Sequence, residues 1–347
     1  MTVARIFSIV SVAALLIGSP PAVGGPVQRD SSAHSALVEL GRRTFFSTRL
    51  SADGSTSCAS CHQPEHAFAD ARPVSPGVAG RLGQRNAPSL LDVGDRRFLF
   101  WDGRASDLEA QALQPLINVD EQGFRDIQEL GRRVAEDMGA LPPSQRRRPT
   151  HARVTYVLSA LAAFERTLRS QELPVDRLLR DPNDSAVAAD VRRGFEVFRG
   201  VGQCVQCHRI DPAHPALTDD AFHLSANGVG AQALQHLAAS IEKIKIARQS
   251  PQPGALGRIV SEDADVAALG RFVVTGNAAD IGKFKTPGLR SAALTAPYMH
   301  DGSVASLHDA MEQELYRIGG GLRRPIPLGD QEKHDLLAFL NSLAARQ

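Results

Sequence analysis

Apolar residues recur at helical spacing in several separate stretches of this chain, each with a polar opposite face. In 35–46, Leu37, Leu40 and Phe45 fall to one side, a period that predicts a helix. The segments 126–138 and 154–168 repeat the pattern and predict two more amphipathic helices. A fourth is predicted over 188–200. Between them lie Gly-, Pro- and Asn-rich stretches with little periodicity, the longest at 71–104. A connection of that length is expected to be an ordered, functional loop. The stretch 170–186, punctuated by Pro, Asp and Asn, reads as a linker. Strand alternation is weak throughout, so the expected fold is mostly α with long ordered loops.

The plan occurs twice. The helix at 35–46 runs into "CASCH" at 58–62, and the helix at 188–200 runs into "CVQCH" at 204–208. This implies two related modules rather than a solenoid. A length of 347 residues suits that division.

Composition adds boundaries. Hydrophobic content of 43% and charged content of 22% are ordinary for a folded protein. Aromatic content is only 5%, with a single tryptophan, Trp101. Residues 1–24 have a positive start, a short apolar run and a small-residue exit, the three-part form of a secretory signal. The apolar run is short for a bilayer span, so no stable membrane span is expected. Loss of this segment removes Arg5 and brings the net charge from +1 to 0. A balanced charge gives no reason to expect a nucleic-acid partner, and "RRR" at 146–148 reads as a solvated loop.

The chain has four cysteines, all within the two CxxCH stretches. In an oxidising compartment each CxxC could close as a disulfide. A thioredoxin-like motif would need a βαβ context, and structural zinc would usually gather both pairs into one site. CxxCH is instead the attachment signature of c-type haem. Two thiols one helical turn apart can bond two vinyl groups on one porphyrin edge, and the adjacent histidine reaches the iron. Cys58, Cys61 and His62 are therefore expected to hold one haem c, and Cys204, Cys207 and His208 a second.

"RNAPSLLD" (85–92), "FWDGRASDLEAQALQPL" (100–116) and "FKTPGLRSAALTAPYMHDGSVASLHDA" (284–310), with both CxxCH sites in register, resemble the bacterial di-haem cytochrome c peroxidase family. That family includes the methylamine-utilisation, MauG-like branch. The resemblance implies two cytochrome c-like haem domains, here expected at 25–180 (peroxidatic) and 181–347 (electron-transfer). It implies a peroxidase that reduces hydrogen peroxide with electrons from a small exported cytochrome c or cupredoxin. One alternative is a MauG-like enzyme that oxidises residues of a partner protein through a high-valent state. The other, non-enzymatic, is a di-haem electron carrier. A periplasmic location and a homodimer are further expectations.

The same resemblance assigns residues. Trp101 is expected between the haems, although a lone tryptophan ordinarily packs a core. Gln111 and Glu121 are expected to line the peroxide pocket, with Glu121 as the proton-handling group; on its own, Glu121 could equally open the next helix, and Asp120 competes with it. A Ca²⁺ ion is expected on the Asn86 side chain and the Thr295 and Pro297 carbonyls. In many of these peroxidases a distal histidine lies eight residues before that asparagine. Here the position is Val78, and no histidine occurs between His66 and His151. An N-terminal haem open in the oxidised state is the expected consequence. For the second ligand of the C-terminal haem, Tyr316 fits the tyrosine pattern of the methylamine-utilisation branch, with Met311 as the alternative. Met299 of "PYMHDG" is expected in a packing loop, and His300 in the same loop resembles a position near the C-terminal haem.

Overall fold

The computed structural model describes residues 27–137, 141–211, 216–318 and 326–344. The proposed signal segment lies outside the described residues. The first half supplies α1 (Val27–Phe46), α2 (Cys58–Cys61), α3 (Leu108–Leu116), α4 (Ile127–Glu136), α5 (Pro143–Arg146) and α6 (Thr150–Glu165). The second supplies α7 (Pro174–Arg180), α8 (Ala189–Arg199), α9 (Ala231–Gln235), α10 (Leu237–Gln249), α11 (Ala255–Glu262), α12 (Ala264–Ala268), α13 (Phe272–Thr275), α14 (Leu307–Ile318) and α15 (Asp330–Asn341). A short antiparallel ribbon pairs β1 (Phe222–Leu224) with β2 (Lys283–Lys285), His223 facing Phe284 in register.

Each half is built on one crossing of two helices, and the two crossings match in detail. In the first, a side chain on Gly41 would stand 1.8 Å from the Ala160 carbonyl oxygen and 2.9 Å from Phe164 Cβ. In the second, one on Gly194 would stand 1.9 Å from the Asp335 carbonyl oxygen and 2.8 Å from Phe339 Cβ. Only glycine lets α1 meet α6, and α8 meet α15, so closely. One turn beyond each glycine a phenylalanine closes the joint. The ring centroids of Phe45 and Phe164 are 5.2 Å apart, and those of Phe198 and Phe339 are 5.1 Å apart. All four rings are buried.

The crossings organise two main cores. The first runs from Leu40 to Leu168 and the second from Leu173 to Leu343, with Leu91 packed against both. A smaller cluster joins α10, α12 and α13 through Ile244, Val266 and Val273. The linker expected at 170–186 departs from the sequence reading. Its centre is α7, whose Val175 and Leu178 are buried in the second core. Its Pro174 is the first residue of a helix rather than a loop marker. Among the described residues no helix is long and apolar enough to cross a membrane.

Candidate active site

The first CxxCH is a single helical turn. Ser57 caps it, and the Ser57 amide donates to Ser60 Oγ. His62 closes the turn, with Nδ1 3.0 Å from the Phe68 carbonyl oxygen. The second CxxCH begins as a 3-10 turn, Cys204–Gln206, and His208 Nδ1 lies 3.0 Å from the Leu217 carbonyl oxygen. In both, the carbonyl fixes the proton on Nδ1 and leaves Nε2 as the lone-pair nitrogen. Burial lowers the pKa of both rings, more than these carbonyl contacts raise it. Neutral imidazole is the form that ligates a metal. The four cysteines are free thiols. Burial pushes Cys61 up to about 11 and Cys204 up to about 12. Free thiols beside a histidine of fixed tautomer are the donor set that covalent haem needs.

A cavity of about 310 Å³ opens on His62. Its walls come from both halves, including Cys61, Trp101, Gln111 and Glu121 from the first, and Lys285 and Arg290 from the second. Glu121 does not open a helix. It lies in the turn before α4, whose N-cap is Asp126. Asn118 Nδ2 donates to Glu121 Oε1 at 2.7 Å. Burial raises the Glu121 pKa, opposed by the Arg104 charge and the Asn118 bond. Asp120 is turned elsewhere and accepts from Ser261 on α11. Val78 is buried, and its amide donates to the Glu121 carbonyl at 2.9 Å. His66 sits half-exposed on the turn Pro64–His66.

Trp101 Nε1 donates to the Asn86 carbonyl at 2.9 Å, and its own carbonyl accepts from the Lys285 amide. Asn86 Nδ2 donates to the Arg72 and Pro73 carbonyls, and its amide to the His300 carbonyl. Asn86, Thr295 and Pro297 line the same cavity. His300 stacks on Phe284 with centroids 3.8 Å apart. Met311 is buried in the second core, whereas Tyr316 is 66% exposed. The two ligand candidates of the sequence reading thus lie on opposite sides of α14.

Several neighbours were not foreseen. Asp102 is wholly buried and holds Arg85 at 2.8 Å and Arg104 at 3.0 Å. Burial works against its carboxylate, but Arg104 and Arg85 outweigh it and keep the pKa low. Lys285 is pushed down to about 8 by burial, against the nearby Asp220. Glu165, at the end of α6, is pushed up to about 8 by burial. Asp102 and Arg104 lie in "WDGR", Arg85 in "RNAPSLLD" and Lys285 in "FKTPG", all within the stretches that carry the resemblance, whereas Asp220 and Glu165 are brought in by tertiary contact.

Residues 35–184 match the family model of di-haem cytochrome c peroxidases. The methylamine utilization protein MauG of Methylorubrum extorquens is 34% identical, over 89% of this chain and 78% of its own. Cytochrome-c peroxidase IdrP2 of Denitromonas iodatirespirans is 30% identical, over 89% and 81%. Among solved structures, a MauG-like protein associated with microbial copper homeostasis is 30% identical, with a TM-score of 0.63 over 88% of each chain. The diheme peroxidase BthA of Burkholderia thailandensis is 25% identical, with a TM-score of 0.65 over 88% and 85%. The paired CxxCH turns, the helical crossings and these likenesses agree: the chain belongs to the di-haem cytochrome c peroxidase family, a family of haem c oxidoreductases.

Proposed function

We propose that this protein reduces hydrogen peroxide to water at the cavity beside His62, with electrons that enter through the half carrying His208. The carrying observation is the placement of Glu121, a half-buried carboxyl oriented by Asn118 on the same cavity as His62 and Gln111. Cys58, Cys61 and His62 would hold one haem c, and Cys204, Cys207 and His208 the other. When bound, the haems supply redox-active iron and store electrons. Glu121 takes the proton from one peroxide oxygen and gives it to the other, which leaves as water. Gln111 orients the peroxide by hydrogen bonds. Two electrons and two protons complete the balance to two waters. Trp101 stands between the two halves as the connecting ring. Asn86, Thr295 and Pro297 offer the hard oxygen donors that suit Ca²⁺.

The domains are taken as 25–180 and 181–347. Export by residues 1–24 would place the protein in the periplasm, where a small cytochrome c or cupredoxin is the natural donor and a homodimer the expected assembly. Oxidation of a partner protein is the second reading, favoured by Val78 at the position of a blocking histidine and by the likeness to MauG.

The test is to mix fully oxidised holoprotein with one equivalent of hydrogen peroxide, without prior reduction, and follow the optical and EPR spectra. A rapid change in the high-spin signal is expected. No change until one electron is added would overturn the open N-terminal site.

A further inference from the structure

The second half lays one helix, α11, along the cavity beside His62. Gly257, Val260 and Ser261 of that helix line the same space that Gln111 and Glu121 line from the first half. Gly257 and Ser261 are four residues apart and share a helix face. A side chain on Gly257 would stand 3.0 Å from Gln114 Oε1 of α3 and 3.5 Å from Arg104 Nε, so α11 sits close against the first half. Ser261 is buried. A helical serine in such a place commonly turns its hydroxyl back onto the preceding turn. The Ser261 hydroxyl instead reaches across and donates to Asp120 Oδ2 at 3.2 Å.

One asparagine sets the neighbouring acids apart. Buried Asn118 accepts the Asp120 amide on Oδ1 at 3.1 Å and donates from Nδ2 to Glu121 Oε1 at 2.7 Å. The turn is pinned further by the Val78 amide on the Glu121 carbonyl and by Arg81 on the Val119 carbonyl. Glu121 is thereby held on the cavity, while Asp120 turns to α11 and stays half-exposed. Space is left beside the Ser261 hydroxyl. A side chain on Gly83 would begin 3.6 Å from Ser261 Oγ. Gly83 does not have the positive φ that would demand glycine. The missing side chain keeps the hydroxyl uncovered rather than relieving the backbone.

We propose that Asp120 and Ser261 form the proton entry to this cavity, with the Ser261 hydroxyl as the relay. This rests on the reading of the cavity as the peroxide site. Cleavage of the O–O bond by Glu121 only moves a proton that peroxide already carries. The second water needs two further protons, which solvent must supply, and two electrons from the donor. Asp120, in reach of solvent, takes up a proton and passes it to Ser261 Oγ. The hydroxyl, both donor and acceptor, gives its own proton on towards Glu121, which delivers it to the departing oxygen. Asp120 is a carboxylate again, its bond with Ser261 re-forms, and the cycle repeats for the second proton. Neither is a catalytic group; both act through Glu121.

The experiment uses the full-length holoprotein in two stages. Mixing with one equivalent of hydrogen peroxide reads cleavage, and subsequent addition of ascorbate reads the arrival of solvent protons. Ser261→Ala should slow the second stage ~10²-fold, the lower end for a lost proton-transfer group, and the first stage far less. The solvent isotope effect on the second stage should rise. Ser261→Thr, which restores the hydroxyl, should recover the rate. Gly83→Leu, which covers the hydroxyl, should imitate Ser261→Ala. In peroxide-free protein, the infrared carboxylate band that Asp120→Asn removes should shift in Ser261→Ala. A second stage as fast as the wild type in Ser261→Ala, both stages slowed alike, no recovery in Ser261→Thr, or an unmoved band would overturn the relay. Should Ser261→Ala lose haem, Gly83→Leu decides alone, and a wild-type second stage there counts against the relay. A wild type that does not react with peroxide at all would sink the reading of the cavity itself, and the relay with it.

Discussion

Glu121 shows how little a carboxyl needs in order to be made useful. One amide donor fixes its orientation, and burial makes its ionised form costly, which raises its affinity for a proton. Glu121→Gln keeps the shape and the Asn118 contact while removing the exchangeable proton. We expect two haems per chain and a peroxide reaction slowed ~10²–10⁴-fold in stopped-flow mixing. An unchanged rate would move the role to another group. This residue could be named from the sequence because it keeps a fixed distance from "WDGRA". Arg104, which opposes the burial effect on it, is inside the same motif, yet nothing in the spacing reveals that the two meet. The same limit explains α14. The sequence offered a tyrosine and a methionine near the expected distance, and only the packing reveals which side of the helix is inward.

At the scale of elements, the two Gly–Phe joints carry the architecture. Gly194→Ala places a methyl group 1.9 Å from a carbonyl oxygen, so α8 and α15 must separate. A loss of roughly 1–3 kcal/mol or more is expected, read as a lower denaturation midpoint. Gly194→Ser should do no better. The signal was present in the sequence, as a glycine four residues before a phenylalanine ahead of each CxxCH, but its meaning depends on a partner helix more than a hundred residues away. The helices α1, α4 and α8 were legible because their apolar residues recur at helical spacing. Helix α6 was expected to be amphipathic, but it is buried nearly all round from Val157 to Glu165 and was legible only as a long apolar run. The short helices α9, α11, α12 and α13 were not, since none is long enough to establish a period, and α10, although 13 residues long, has only a weak apolar stripe. Glu165 gives α6 a pH dependence of its own. The native group keeps its proton up to about 8, and the unfolded carboxyl releases it near 4.5. Between those values the native state binds more protons. Its contribution is therefore whole below 4.5 and is lost as pH rises through about 8. Glu165→Gln should flatten the fall of the melting temperature across that window, at about 1.4 kcal/mol per pH unit, and an identical slope in the variant would rule this source out.

Many contacts join the halves, among them Arg85 to the Ala267 carbonyl and Arg271 to the Asp102 carbonyl, and Arg290 centres another. Arg290 Nη1 and Nη2 reach Asp176 at 2.8 and 2.9 Å, and its Nε reaches Ser170 Oγ at 2.6 Å. Asp92, from the first half, stands 3.7 Å away. Arg290→Ala would strand the mostly buried Asp176 carboxylate, at a cost of roughly 3–5 kcal/mol. Urea titration should register that loss, and a change under about 1 kcal/mol would mean that the junction is held elsewhere. None of this was visible in the sequence, where the region around Asp176 reads as a linker.

The indole of Trp101 donates from Nε1 to a peptide oxygen of Asn86 in its own half, while the Trp101 carbonyl accepts from the Lys285 amide of the other. An indole that loses one electron becomes acidic at that nitrogen, but a peptide oxygen is far too weak a base to take the proton. A positive hole crossing Trp101 would therefore leave the ring protonated and cationic, ready to be refilled without any proton transfer. Traffic through this ring would then run at the same speed in heavy water as in light, and a clear solvent isotope effect on inter-haem electron exchange would exclude it as the conduit.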